Sequence, residues 1–148
     1  MYKSFNLFNL SKISLDKFLL DFEIEGEKTL KSNLITTGPQ IPKFEKNLSK
    51  KVHSKYCVVF NSATSALHSA CLALGLKKND WLWTSANSFV ASANCGIYCG
   101  AKIDFIDIEL ETFNIDLQKQ EIKLQKAKKK KLLPKIIIPV VFAGQSYD

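Results

Sequence analysis

The stretch that decides the fold lies between residues 56 and 84 and reads YCVVFNSATSALHSACLALGLKKNDWLWT. Its beginning, Tyr56 to Phe60, is a compact apolar run that predicts a strand. Ala63 to Leu74 is rich in alanine and leucine and ends at Gly75, which is typical of a helix closed by glycine. Trp81 to Thr84 is a second short apolar run. The stretch therefore predicts a strand, a helix and the next strand.

The same alternation continues towards the end of the sequence. Phe89 to Tyr98 predicts a helix, and Lys102 to Ile108 predicts a strand. A longer helix, Asp116 to Lys131, leads to an apolar and β-branched strand, Ile136 to Phe142. Strands that alternate with helices build a mostly parallel sheet covered by helices on both faces. We therefore predict an α/β fold.

The residues before this region are organised differently. Ser14 to Phe22 is amphipathic, begins with a capping serine and predicts a short leading helix. After the break at Thr37-Gly38-Pro39, apolar residues at helical spacing predict a helix that begins near Ile41. Since 148 residues leave room for one compact domain, we divide the chain into a leading segment, residues 1–32, and a domain, residues 33–148.

Composition argues against a membrane or disulfide-bonded protein. No stretch approaches the roughly 20 apolar residues that a membrane helix requires, and the first residues have no secretory apolar core. We therefore expect a cytoplasmic chain without a membrane partner. The cysteines lie inside apolar segments without CxxC spacing, so we expect buried free thiols rather than disulfides or zinc ligands. They are Cys57, Cys71, Cys95 and Cys99.

The net charge of +7 raises the question of a nucleic-acid partner. Lys126 to Lys131 is the most basic run, interrupted only by Ala127, and it closes a predicted helix. Cations are favourable at that end of the helix dipole, and no aromatic residues are interleaved for base stacking. We therefore interpret the run as a solvated helix end and expect no nucleic-acid partner. A basic accessory protein of nucleic acids is a weaker alternative.

A candidate phosphate site lies between Phe60 and Ala66. A strand is predicted to end there, and a helix begins among small and hydroxyl residues, Ser62, Thr64 and Ser65. The unpaired N–H groups of a helix N-terminus attract anions. Alternatively, Asn61 and Ser62 only cap the helix and satisfy its first amides themselves. The residue pattern leaves both interpretations open.

A second candidate lies after the next predicted strand, at Ser85-Ala86-Asn87-Ser88-Phe89. The Phe89 ring could cover a flat aromatic ligand whose phosphate binds one loop away. Alternatively, Phe89 is an ordinary core residue.

Other polar residues offer little chemistry. His53 and His68 have no carboxylate partner at the spacing of a metal site or a catalytic triad. Asp104 and Asp107 flank two apolar residues of a predicted strand, so their side chains are predicted on opposite faces, which excludes a cooperating carboxylate pair.

Several segments together resemble the DegT/DnrJ/EryC1/StrS family of sugar aminotransferases, which have the aspartate-aminotransferase fold of type I pyridoxal-phosphate enzymes. The resemblance covers residues 33–148. The sequence of residues 61–67 is most similar to that of the transaminases of pseudaminic acid biosynthesis. The matching segments are Thr36-Thr37-Gly38-Pro39 with Phe44-Glu45, Asn61 to Leu67, Ser88 to Asn94, Tyr98 to Lys102, Phe105 to Ile108, Thr112 to Asp116 and Pro139 to Gln145.

The resemblance implies a cofactor, pyridoxal 5′-phosphate, and a role for particular residues. Ala63 and Thr64 would bind its phosphate, mainly through backbone amides, and Phe89 would stack on its ring. Leu34, Ile35 and Thr36 would lie at the mouth of the site near the substrate. In this family the substrate is a nucleotide-linked 4-keto sugar for surface polysaccharide or glycan synthesis, and the amino donor is an amino acid such as glutamate. Family enzymes are homodimers.

The resemblance also implies what this sequence lacks. The family's Schiff-base lysine and the aspartate that contacts the cofactor's ring nitrogen have no matching context among its residues, so we expect no catalytic residue here. The chain would then be the N-terminal part of the large domain and inactive alone. A second chain is one possible source of the missing lysine and aspartate. A non-catalytic α/β module that binds some other phosphate-bearing ligand is the alternative.

Overall fold

A computed structural model of the chain describes residues 24, 26–36 and 38–145. The predicted leading helix, Ser14 to Phe22, lies outside these residues. The chain divides into two compact units, Met1–Val59 and Phe60–Asp148, which we describe separately. The proposed division at residue 32 stays a prediction.

The first unit contains one long helix. Residues 26–30 are helical, and α1 spans Gln40–Lys51, which confirms the helix predicted near Ile41. The strand predicted for Tyr56 to Phe60 is wrong, because these residues pair with no described strand. A strand requires another strand beside it for its backbone groups, and the N–H of Val59 donates to the Glu45 carboxylate over 3.0 Å instead.

The second unit alternates helices and strands as the sequence predicts. Its three strands are parallel, and β1 at Trp81–Ser85 lies between β2 at Lys102–Ile106 and β3 at Ile136–Ile138. The register pairs Thr84 of the central strand with Phe105 on one side and Ile138 on the other. The elements are α2 at Ala63–Ala73, β1 at Trp81–Ser85, α3 at Ala91–Tyr98, β2 at Lys102–Ile106, α4 at Leu117–Lys129 and β3 at Ile136–Ile138.

Helices cover both faces of this sheet, which confirms the α/β prediction. Alternate residues of β1 point to opposite faces. Leu82 packs with Cys71 of α2 and Cys95 of α3 on one face. Trp83 packs with Ala127 of α4 on the other face. The two apolar clusters are therefore separated by the sheet and joined through the central strand.

Two predicted strands are shorter in the structure. β3 ends at Ile138 because Pro139, which has no N–H, cannot continue the ladder. The chain then forms a 3-10 turn at Phe142–Gly144. β2 ends at Ile106, and Ile108 instead forms an isolated antiparallel bridge with Ile115.

The basic run lies at the solvated end of α4, as predicted. Its lysines are exposed, whereas Ala127 within the run is buried. The helix begins after Asp116, whose side chain accepts from N of Lys119 over 2.9 Å. No helix among the described residues is long and apolar enough to span a membrane.

The cysteines are free thiols. Cys71 and Cys95 are buried, with their Sγ atoms 3.7 Å apart, and Cys57 and Cys99 are half-buried. The prediction of buried thiols is therefore confirmed for the first pair and holds in part for the second.

Candidate functional site

The first turn of α2 combines a cap with two free donors. Ser62 has an extended backbone, with φ −154° and ψ 152°, and its Oγ accepts from N of Ser65 over 3.2 Å. N of Ala66 donates to O of Ser62 over 3.1 Å. The amides of Ala63 and Thr64 meet no acceptor within the part of the chain that the structure describes. The cap therefore satisfies only part of the turn.

Capping and free donors thus occur together in this turn. Ser62 is the cap that the alternative predicted, but it leaves two successive N–H groups at the positive end of an 11-residue helix. The Thr64 hydroxyl, half-buried, also has no hydrogen-bond partner among the described residues. Such a turn can bind an anion through backbone amides and one hydroxyl.

Phe89 lies past the carboxyl end of β1 and is 75% exposed. It is therefore not a core residue, which removes the alternative for this position. α3 begins at Ala91, two residues later than predicted. Ser88 Oγ bonds to Oγ of Ser92 over 2.6 Å, and N of Ser92 donates to O of Phe89 over 3.0 Å. These bonds fix the backbone beneath an exposed ring.

Three buried polar side chains at the same edge of the sheet were not predicted from the sequence. Thr84 and Ser85 of β1 are 0% exposed, and Asn114 is 3% exposed. All three bond to backbone at the end of β3 or just after it: Thr84 Oγ1 to Ile138, Ser85 Oγ to Val140, and the Asn114 amide to Phe142 and Gln145. The signal in the sequence that could have predicted them is the pair of hydroxyl residues, Thr84 and Ser85, at the end of an apolar strand.

The predicted substrate residues belong to the first unit. Leu34 and Ile35 are 57% and 67% exposed and line a pocket of about 120 Å³ with Gly38 and Gln40. Thr36 is exposed and follows them in the chain. Their role at a substrate stays a prediction.

The aspartate prediction is wrong in its geometry. Asp104 and Asp107 pair with Lys123 and Lys119 of the same helix, α4, each over 2.7 Å. Asp107 lies beyond the end of β2, where the alternation of a strand no longer applies. The hydrogen bond from Lys119 lowers the pKa of Asp107 below its usual value. Each carboxylate is therefore paired with a different lysine of α4.

The histidines take part in no described catalytic cluster. The His68 ring packs edge-on against Tyr98 at 5.4 Å between centroids. His53 is exposed at the end of the α1 region with φ 53°. Within the described ranges, no group of three His, Cys, Asp or Glu residues could hold a metal ion.

Comparisons with known proteins identify the family of the chain. A sequence model of the DegT/DnrJ/EryC1/StrS aminotransferase family matches residues 21–148. The UDP-4-amino-4,6-dideoxy-N-acetyl-beta-L-altrosamine transaminase of Campylobacter jejuni is 43% identical over 99 residues, which are 67% of this chain and 26% of that protein. The spore coat polysaccharide biosynthesis protein SpsC of Bacillus subtilis is 38% identical over 124 residues, which are 84% of this chain and 30% of SpsC.

Solved structures give the same result. NtdA of Bacillus subtilis, crystallised with its bound cofactor PMP, superposes with a TM-score of 0.69 and 33% identity. The superposition covers 92% of this chain and 30% of NtdA. The chain thus spans between 26% and 30% of the length of these three relatives.

Proposed function

The chain belongs to the DegT/DnrJ/EryC1/StrS aminotransferase family, and from that premise we propose that the first turn of α2 binds the phosphate of pyridoxal 5′-phosphate, the family's cofactor. The observation that carries the proposal is the pair of N–H groups on Ala63 and Thr64, which meet no acceptor among the described residues. A phosphate oxygen is the acceptor that such a turn favours.

The chemistry of these residues suits this cofactor. Ala63 and Thr64 would donate backbone N–H groups to the phosphate, and the Thr64 hydroxyl would add a third donor. The Phe89 ring, which is exposed, would cover one face of the cofactor's ring and exclude water from it. When bound, the cofactor supplies an aromatic ring that withdraws electrons from the reacting amine carbon. The residues of this chain bind and orient it.

We further propose a sugar substrate for the enzyme of which these residues form a part. The relatives named above include a UDP-sugar transaminase and a protein of spore coat polysaccharide biosynthesis. A nucleotide-linked 4-keto sugar as acceptor and glutamate as amino donor fit the family, and Leu34, Ile35 and Thr36 are the residues assigned to the substrate. A homodimer and a cytoplasmic location stay predictions. These 148 residues contain no lysine in a matching context, so alone they are expected to bind the cofactor without transamination.

The test is a calorimetric titration of the 148-residue chain with pyridoxamine phosphate and, separately, with pyridoxamine. Pyridoxamine phosphate needs no covalent bond to a lysine, and the pair of ligands isolates the phosphate. We expect binding of the phosphorylated ligand and at least tenfold weaker binding of pyridoxamine, because charge-assisted hydrogen bonds are lost. Equal binding of the two ligands would overturn the proposal.

One substitution removes a single donor without disturbing the helix. Ala63→Pro places proline at the first helical position, where its missing N–H breaks no helical bond, after a residue that is already extended. We expect it to weaken pyridoxamine phosphate binding about tenfold. Leu117→Pro makes the same change at the first position of α4 and serves as the matched control. If both variants bind like the original chain, the α2 turn is not the phosphate site.

The same titration distinguishes the proposed cofactor site from a non-catalytic module. A module for another phosphate-bearing ligand would bind phenyl phosphate or inorganic phosphate as tightly as pyridoxamine phosphate. The proposed cofactor site is expected to prefer pyridoxamine phosphate, because Phe89 would stack on its pyridine ring.

A further inference from the structure

The chain after β3 is held in place although it leaves the sheet. The ladder with β1 ends at Ile138, and Pro139 follows. Thr84 Oγ1 donates to O of Ile138 over 2.8 Å, and N of Val140 donates to Ser85 Oγ over 3.3 Å. Side chains of β1 therefore continue to hold this segment where backbone pairing stops.

Asn114 holds the next part of the segment with both ends of its amide. Its Oδ1 accepts from N of Phe142 over 2.9 Å, and its Nδ2 donates to O of Gln145 over 3.1 Å. Between these contacts, Ala143 and Gly144 have φ of 51° and 81°. A residue with a Cβ rarely adopts that conformation. One buried amide therefore brackets a turn that the backbone alone disfavours.

Asn114 is itself fixed by its own loop. N of Glu109 donates to O of Asn114 over 3.0 Å, and N of Asn114 donates to Oγ1 of Thr112 over 3.2 Å. The Phe113 ring packs against the Phe142 ring at 5.5 Å between centroids. The loop and the segment after β3 are thus joined by an amide and by two aromatic rings.

The joined segment lies at the functional edge of the sheet. Ser85 is the last residue of β1, and Phe89 follows four residues later. Ligands of parallel sheets bind just outside the carboxyl ends of the strands. Resting on the proposed function, we infer that Asn114 is a positioning residue, which fixes residues 139–145 as a wall of the cofactor site and thereby sets the affinity for the cofactor.

The physical basis is preorganisation. A turn that is ordered in the free protein loses no further freedom when a ligand binds against it. Without the Asn114 amide, Ala143 can relax towards a commoner backbone conformation, and binding must then restore the turn. Affinity falls although Asn114 does not contact the ligand.

The experiment compares the chain with its Asn114→Ala and Ser85→Ala variants. Asn114→Ala removes both hydrogen bonds to the turn, and Ser85→Ala removes the single hydrogen bond to Val140. The second variant keeps the test available if the first does not fold. Asn94→Ala is the matched control, since its side chain is half-buried and makes no hydrogen bond among the described residues. Hydrogen exchange of residues 139–145 and calorimetric titration with pyridoxamine phosphate are measured for each.

We expect at least tenfold faster exchange and about tenfold weaker binding in Asn114→Ala, a smaller change of both in Ser85→Ala, and neither change in Asn94→Ala. Faster exchange with unchanged affinity would make Asn114 purely structural and overturn the inference. Unchanged exchange would also overturn it. If the original chain does not bind pyridoxamine phosphate, the proposed function fails and this inference falls with it. If the original chain binds and the variants bind equally well, only this inference fails.

Discussion

A Cβ atom on Gly96 would lie 2.6 Å from Cδ1 of Ile103. α3 therefore lies so close to the sheet that a methyl group fits between them only if the Ile103 side chain shifts. Cδ1 and Cβ of Leu82 would be 3.1 Å and 3.2 Å away as well, which limits the room on the other side.

We expect Gly96→Ala to destabilise the fold by up to about 2 kcal/mol, because an overpacking cost of about 1–3 kcal/mol is reduced by a gain of about 1 kcal/mol in helix propensity. Ile103→Val removes the Cδ1 atom and alone costs about 0.5–1.5 kcal/mol. The double variant is expected to be more stable than the sum of the two effects predicts. Urea unfolding of all four proteins measures the coupling, and strict additivity would contradict the contact.

Alkaline pH is expected to weaken the core through the Cys71 thiol. Burial raises the pKa of Cys71 from 9.0 to about 12. At a pH between these two pKa values, the unfolded chain releases the proton and the folded chain keeps it. The free energy of unfolding therefore falls as pH rises. The slope is at most about 1.4 kcal/mol per pH unit. Urea unfolding at pH 8 and pH 10 measures how far the free energy of unfolding falls between these pH values. The fall should be smaller in Cys71→Ala than in the original chain, and an equal fall would be inconsistent with the raised pKa.

Trp83→Phe is expected to cost little for a core substitution. Trp83 is 3% exposed, and its Nε1 is the one buried side-chain nitrogen or oxygen within the described residues that lacks a hydrogen-bond partner. Phenylalanine removes that unsatisfied donor, whose burial costs about 1–3 kcal/mol, and this offsets the lost packing. We expect a net change below about 1 kcal/mol, against about 2–5 kcal/mol for Leu82→Ala. Similar losses for both in urea unfolding would refute the offset.

Phe89→Leu is expected to separate binding from stability. Because the ring is 75% exposed, the free energy of unfolding should change by less than about 0.5 kcal/mol. Loss of ring stacking should weaken pyridoxamine phosphate binding by about 1 kcal/mol, or roughly fivefold. Phe105→Leu, at a residue that is 50% exposed, is the control for the same change of side chain. Unaltered affinity in Phe89→Leu would place the ring outside the site.

Local patterns predicted the described helices and the central strand, β1, well, because each carries its own periodic or apolar signal. The exception, Tyr56 to Phe60, shows why: its apolar run fits a strand, but a ladder depends on a partner that the run itself does not encode. The role of Asn114 was hidden for a related reason. Its partners, Phe142 and Gln145, lie about thirty residues away in the chain, and only the fold brings them together.

The arrangement of the two tryptophans has a spectroscopic consequence. Trp81 and Trp83 pack in the same cluster, on the α4 side of the sheet, whereas α2 packs on the other side. Indole emission will therefore follow the loosening of the α4 layer and will respond little to an anion that docks at Ala63 and Thr64. With inorganic phosphate, which does not absorb indole emission, a ligand-dependent change would consequently measure how strongly the sheet transmits a disturbance from one of its faces to the other.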